Sequence, residues 1–265
     1  MPKSPPPRLE PDDPRHAEQT NRAFWDGDAD DYQAAHGAAL TAAAMAWGPF
    51  RIPETELQML GDVTGCDVLE YGCGAAQWSV ALAADPTVRV TGLDLSARQL
   101  DHAARNRDTA AVAVALVCAS ATATPFADCS FDVVFCDHGA MSFCDPTATV
   151  AEVARLLRPG GRLAFSVSSP LLWWTYDARR DRQTDRLRNA AFGRRSWHVE
   201  GGTVDYCVPV GEWLRLFAVH DLVAVDLVEP QVGADAFTTY AGYIDPELAT
   251  RWPFEQMWKV VKIRR

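Results

Sequence analysis

A short apolar run, Asp67 to Tyr71, passes directly into Gly72-Cys73-Gly74 and then into a helix-forming segment from Ala76 to Ala84. A strand that turns into a helix through G-x-G carries no Cβ at the turn, so a ligand can approach its backbone closely. The next apolar run, Val88 to Leu93, ends at Asp94, twenty residues after Gly74. A carboxylate there can accept from both hydroxyls of a ribose. Together the turn and the acid describe an adenosine-type site at the carboxyl edge of an open α/β sheet.

The rest of the chain supplies that sheet. Val112–Val117, Phe131–Cys136 and Arg162–Val167 read as further strands. Between them lie a helix capped by Ser96 and running to about Arg107, and a helix from Thr147 to Leu157 stopped by Arg158-Pro159-Gly160-Gly161. Strands alternating with helices of this length mean βαβ units and a parallel sheet. Beyond Val167 the regularity lapses over residues 170–209, which hold Trp173-Trp174 and the arginines 179, 180, 182, 186, 188, 194 and 195. It resumes with a helix over Gly211–Val219, a strand over Leu222–Val228 and a last strand over Trp258–Ile263. Glu229 to Met257 is too long for a hairpin turn. The expected architecture is a Rossmann-like, doubly wound α/β sheet of seven strands, mostly parallel, with an antiparallel last strand. Residues 1–14 form a disordered Pro-rich lead-in and 15–265 a single domain: N-terminal helices over 15–65, a cofactor-binding core over 66–169, a helical cap over 170–209, then the last helix and strands. The N-terminal helices are expected over His16–Ala35 and Pro53–Leu60.

Charge narrows the partners. Lys+Arg number 25 against Asp+Glu 35 in 265 residues, a net charge of −10. An acidic surface repels phosphate backbones and anionic lipid, which leaves a small-molecule acceptor as the expected partner, with no nucleic acid and no membrane. The seven cysteines are odd in number and contain no C-x-x-C pair, against a disulfide framework or a zinc knuckle. With no apolar signal region and no run near the roughly 18 apolar residues of a spanning helix, the expected location is cytoplasmic. A homodimer is compatible with the sequence.

A dinucleotide is the obvious competing ligand. Gln77 stands where the dinucleotide fingerprint has its third glycine, and Glu70, two residues before Gly72, would face a pyrophosphate unfavourably. The same carboxylate suits a ligand carrying an ammonium and a sulfonium. In this the chain resembles the class I S-adenosylmethionine-dependent methyltransferases, whose first motif, E/D-x-G-x-G, reads here Glu70-Tyr71-Gly72-Cys73-Gly74. The resemblance continues through Gly92-Leu93-Asp94-Leu95-Ser96, then Pro125-Phe126-Ala127-Asp128-Cys129-Ser130-Phe131-Asp132-Val133-Val134, then Leu156-Leu157-Arg158-Pro159-Gly160-Gly161, and covers about residues 15 to 265. It implies S-adenosylmethionine as cofactor, with Glu70 reaching the methionine ammonium through water and Gly72 and Gly74 lining the methionine moiety. Asp94 would hold the ribose and Leu95 pack on adenine. The family commonly has an aspartate at the adenine amino group; Ser120-Ala121-Thr122 stands in that segment, so the contact passes to Ser120 or to backbone at Ala121. Gln77 and Asp137 fall at the same edge, and Trp25 and Tyr32 look like the family's N-terminal segment that folds over the cofactor.

Methyl transfer from a sulfonium is an in-line displacement, helped mostly by alignment and desolvation, with a general base only where the acceptor keeps its proton. His138, just after the fourth strand, is the candidate base; the alternative is that Asp137 and His138 only order their loop. Acceptor contacts are expected from His36, Met141, Trp173, Trp174, His198 and Glu212, each weighed against helix packing, cap filling or a solvated position. Tyr240, Tyr243, Trp252-Pro253-Phe254 and Trp258 most simply pack the late insertion on the sheet. No cluster of acids and histidines has metal-ligand spacing. The leading function is methylation of an oxygen or nitrogen of a small aromatic metabolite. Carbon methylation of a quinone or indole-like ring, an NAD-dependent dehydrogenase and a non-catalytic S-adenosylmethionine-binding protein are the alternatives.

Overall fold

The computed structural model describes residues 13–199, 202–233, 236–240, 242 and 244–264. The Pro-rich lead-in through residue 12, and Tyr243 of the late insertion, lie outside the described residues. Pro14 belongs to a helix instead: it is the first residue of α1 (Pro14–Ala42), and the Asp13 side chain caps the helix by accepting from Arg15 N–H. The helix expected over Pro53–Leu60 shrinks to one turn, Glu54–Leu57, because Gln58 adopts a left-handed conformation and ends it.

Seven strands make the sheet: β1 (Asp67–Tyr71), β2 (Arg89–Asp94), β3 (Val114–Cys118), β4 (Phe131–Asp137), β5 (Leu157–Ser168), β6 (Leu222–Val228) and β7 (Glu255–Lys262). Their order is β3-β2-β1-β4-β5-β7-β6. The first five are parallel, and β7 inserts antiparallel between β5 and β6. Strand order reverses between β1 and β4, so the crevice at their carboxyl ends is the topological switch point where ligands bind in open α/β sheets.

Side-chain alternation divides the core into two layers. Leu69 and Tyr71 of β1, Val134 and Cys136 of β4, and Leu163, Phe165 and Val167 of β5 point to one face, packed with Trp213, Phe217 and Trp258. Val68, Val133, Phe135 and Ala164 point to the other, against Trp47, Met59, Leu60 and Trp78. The helices α2 (Gln77–Leu82), α3 (Ala97–Ala110), α4 (Pro146–Leu156) and α5 (Val210–Val219) join α1 in flanking the sheet.

Residues 170–209 do not form the helical cap expected from the sequence. After one helical turn, Leu171–Trp174, they form two small antiparallel ribbons, Tyr176–Asp177 with Arg182–Gln183 and Ser196–His198 with Val204–Tyr206. The paired segments Ser196-Trp197-His198 and Val204-Asp205-Tyr206 carry aromatic side chains and one β-branched valine but no longer periodic stripe for a helix, and a two-strand ribbon satisfies their backbone.

Candidate functional site

Asp94 ends β2 between two turns. Its Oδ2 accepts from Gly74 N–H at 2.7 Å and its Oδ1 from Ser96 N–H at 2.9 Å. Burial raises the carboxyl pKa, while the backbone N–H groups of Ser96, Gly74 and Leu95 pull it back. Each oxygen keeps a further lone pair for an outside donor. Gly74 has φ +51°, and a Cβ there would meet only Gln99 Oε1, at 3.9 Å, so this side of the turn is open. Gly72 differs. Its φ is +88°, and a Cβ would lie 2.5 Å from Ala140 N, so its bareness serves contact with the Gly139–Ala140 turn after β4.

Glu70 is buried beneath the glycine turn and accepts from Ser79 N–H at 3.0 Å and Ser79 Oγ–H at 2.5 Å, in the first turn of α2. Burial pushes its pKa to about 8, partly offset by the two Ser79 bonds. A cation brought beside it would restore the charged form.

α1 closes over this edge. Trp25, Tyr32 and His36 recur at helical spacing on one face, with Asn21 and Ala29 buried on the same side. Trp25 meets Tyr32 and Phe143 edge to face at 5.4 and 5.3 Å. Asp26 accepts from the Ser96 hydroxyl, and Gln33 links Gln77 to Gln99 through paired amides. Tyr32 and Tyr240 share a 2.7 Å hydroxyl contact, while His36 stacks on Tyr240 and bonds Thr239 Oγ1 at 2.9 Å. Tyr240 therefore faces α1 over the site, where the sequence had offered it only as packing for the insertion.

At the end of β4, His138 has φ +50°, unusual for a residue with a side chain. Its N–H is held by Ser166, and its Nε2 lies 2.9 Å from Glu255 Oε1. Burial alone would lower the imidazole pKa. Hydrogen bonding to Glu255, with the charges of Glu255, Asp137 and Asp205, more than reverses this and raises it. Asp205, on the cap ribbon, accepts from Thr203, and burial lifts its pKa to about 6 against the pull of His138.

Several residues expected at the cofactor or acceptor are engaged within the chain. Asp137 spends its carboxylate inside the chain, accepting from Gly48 N–H at 2.8 Å, Ser166 Oγ–H at 2.5 Å and Arg51 at 3.1 Å, and so pins the segment before β1 to the sheet edge. Met141 is fully buried in the core, with no surface for an acceptor. Ser120 donates to Glu18 of α1 at 2.6 Å, and Ala121 is buried with its carbonyl taken by the Tyr71 hydroxyl. Glu212 accepts from Arg195, which also reaches Asp145, so this acid fastens the cap. Trp173 stacks flat on Trp197 at 5.1 Å, and Arg194 lies over the Trp197 ring, within the cap. Trp174 and His198 are half-buried in the same segment, and Leu95 is half-buried beside Asp94.

Sequence reasoning missed Asn21, Arg51, Asp205 and Glu255. Asn21 binds Phe143 O and both polar backbone atoms of Val204, joining α1, the turn after β4 and the cap. Glu255 carried no local signal: it precedes the Trp258–Ile263 strand read from the sequence, and the structure extends that strand back to it. Among the described residues all seven cysteines are free thiols, no group of three or more His, Cys, Asp or Glu side chains is arranged to hold a metal, and no helix is long and apolar enough to cross a membrane.

Residues 69–165 match the family model described as a methyltransferase domain. A demethylmenaquinone methyltransferase of Lactococcus lactis is 33% identical over 44% of this chain and 48% of its own length. An O-methyltransferase of Aspergillus nomiae is 33% identical over 41% of this chain and 49% of its own. The chain thus spans about half the length of the curated relatives it matches. In fold it is similar to an S-adenosylmethionine-dependent methyltransferase structure from Listeria monocytogenes, with TM-score 0.60, 23% identity, and coverage of 79% of this chain and 97% of the other. The seven-stranded order and the glycine turn facing Asp94 thus accompany a match to a methyltransferase domain over residues 69–165, on the fold that S-adenosylmethionine-dependent methyltransferase structures share.

Proposed function

We propose that the protein transfers the methyl group of S-adenosylmethionine to an oxygen or nitrogen of a small aromatic metabolite. The observation that carries the cofactor reading is Asp94: two backbone N–H groups orient its carboxylate at the switch point, beside the open face of Gly74. That is a fit for a vicinal diol. Glu70 lies under the same turn as a buried carboxyl that a neighbouring cation would ionise. Bound there, S-adenosylmethionine supplies an activated methyl on a good leaving group. The chain's own part is to bind, orient and dry the site: Trp25 and Tyr32 cover it from α1, and Gln77 ties α1 to the glycine turn. His138 takes the proton of the acceptor's O–H or N–H, supported by its position after β4 and its raised basicity.

Carbon methylation of a quinol ring is the second reading, favoured by the similarity to a demethylmenaquinone methyltransferase. A dehydrogenase is disfavoured because Gln77, in place of a third glycine, occupies the helix start and bonds Gln33.

Calorimetric titration tests the cofactor site. S-adenosylhomocysteine is expected to bind, and Asp94→Asn to weaken it at least ten-fold, about 1.4 kcal/mol, through a lost charge-assisted diol contact. Binding of NADH without S-adenosylhomocysteine would overturn the reading. Tritiated-methyl transfer to a phenol, a hydroquinone, an arylamine and an indole, with product analysis, separates O-, N- and C-methylation. Cofactor binding with no transfer across that panel would favour a non-catalytic protein.

A further inference from the structure

His138 and Glu255 are 117 residues apart in sequence and meet at 2.9 Å, Nε2 to Oε1. Glu255 opens β7 and pairs in register with Ser168 of β5, which brings it to the carboxyl edge of the sheet. It is 2% exposed. The chain makes room for it at Gly48, where φ is +68° and a Cβ would overlap Oε1. Among the described residues its Oε2 has no hydrogen-bond partner. A carboxylate buried with one oxygen unserved is costly to keep unless a positive charge forms beside it. The group placed to carry that charge is the His138 imidazole.

We propose that Glu255 is the positioning residue for His138: its carboxylate accepts from Nε2–H, fixes the ring's tautomer and orientation, and steadies the imidazolium formed when the acceptor gives up its proton. The inference rests on the reading of His138 as general base. With the proton on Nε2 engaged by Glu255, Nδ1 is the atom that takes the acceptor's proton. The positive charge then formed is balanced by the carboxylate, and the proton passes to water after product leaves. This is the arrangement of an oriented base, here using an acid from the last strand.

Among the described residues, the other charged groups that face the pair are Asp137 on β4 with its partner Arg51, and Asp205 on the cap ribbon. Both acids favour the imidazolium, so the Glu255 contribution must be separated from theirs by substitution at Glu255 alone.

The test uses the full chain with isotope-labelled histidine, followed by NMR against pH, with H138Q assigning the resonance. In the wild type the His138 midpoint is expected above 6.5. In E255Q the midpoint is expected to fall from its wild-type position, because burial is then opposed only by Asp137 and Asp205. The neutral ring of the wild type is expected to carry its proton on Nε2. A protonated Nδ1, or an unmoved midpoint in E255Q, would overturn the proposal. The tautomer measurement needs no variant, so a poorly folding E255Q leaves the question decidable.

Kinetics with 1,4-dihydroxynaphthalene, or whichever member of the acceptor panel turns over, give the second readout. E255Q is expected to lose about ten-fold or more in kcat with little change in KM, and its acid limb in kcat/KM moves to lower pH. E255D, which keeps the charge, is expected to recover part of the loss and hold the limb near its wild-type position. Loss in E255D as deep as in E255Q would argue for packing alone. Undiminished turnover in H138Q would remove the base reading and the proposal with it. A dead H138Q with an unresponsive midpoint in E255Q would remove only the role of Glu255.

Discussion

His138→Gln is expected to lower kcat by ~10²–10⁴-fold while changing the affinity for S-adenosylhomocysteine by less than about two-fold. Glutamine approximates the size of the ring and can still accept or donate a hydrogen bond, but it cannot take up a proton. The cofactor contacts assigned to Asp94 and the glycine turn lie on β1 and β2, and the base lies after β4, so binding and turnover separate. The wild-type pH dependence has a definite sign. A base must be neutral to act, and the carboxylates around His138 raise its pKa above the ordinary 6.5. Activity on a protonated acceptor therefore rises with pH through a midpoint above 6.5, and this limb is absent from the residual activity of the variant. Steady-state assays across pH, beside calorimetry, check both halves. Turnover within about three-fold of wild type would show that alignment alone suffices, as for an acceptor that arrives already deprotonated.

Trp47→Ala is expected to cost about 3–5 kcal/mol of unfolding free energy. Trp47 is 0% exposed, and its ring packs on Trp78 at 5.0 Å and Phe135 at 6.3 Å in the layer beneath the sheet. Its Nε1–H donates to Glu54 Oε2 at 2.7 Å, and Glu54 also accepts from the N–H groups of Met59 and Leu60. Alanine thus leaves a large void and takes one of three donors from a buried carboxyl. For a chain of this size, a midpoint fall of roughly 10 °C follows. Trp47→Phe keeps most of the ring volume and should lose nearer 1–2 kcal/mol. Urea titrations of the two variants measure the difference. A loss under about 1 kcal/mol for alanine would mean that the segment before β1 contributes little to the core. The site should register the change as well, since Gly48, the next residue, donates to Asp137 and packs on Glu255.

What lay open in the sequence is local. The bounds of β1 and β6 follow from apolar runs, and α3 begins where Ser96 caps it, because a side-chain oxygen and a backbone period act within a few residues. The glycine turn and its distance to Asp94 are legible for the same reason: adjacent parallel strands, each followed by a tight turn, bring their carboxyl ends together. The cap went wrong where local signals are weakest. Residues 170–209 have no sustained period, and their ribbons are held by distant partners such as Asn21, 183 residues from Val204.

By itself, then, the sequence determined the doubly wound sheet, the G-x-G turn and the acid opposite it. Only the tertiary structure decided which side chains turn inward at that edge. It committed Asp137 to Gly48, Ser166 and Arg51, buried Met141, and drew Glu212 to Arg195. It also set Tyr240 against Tyr32 and Glu255 against His138. These partners are joined by long connections and by the register of an antiparallel last strand. Periodicity fixes which face a residue takes within its own element, whereas a pairing across 117 residues depends on where the whole sheet places its edges.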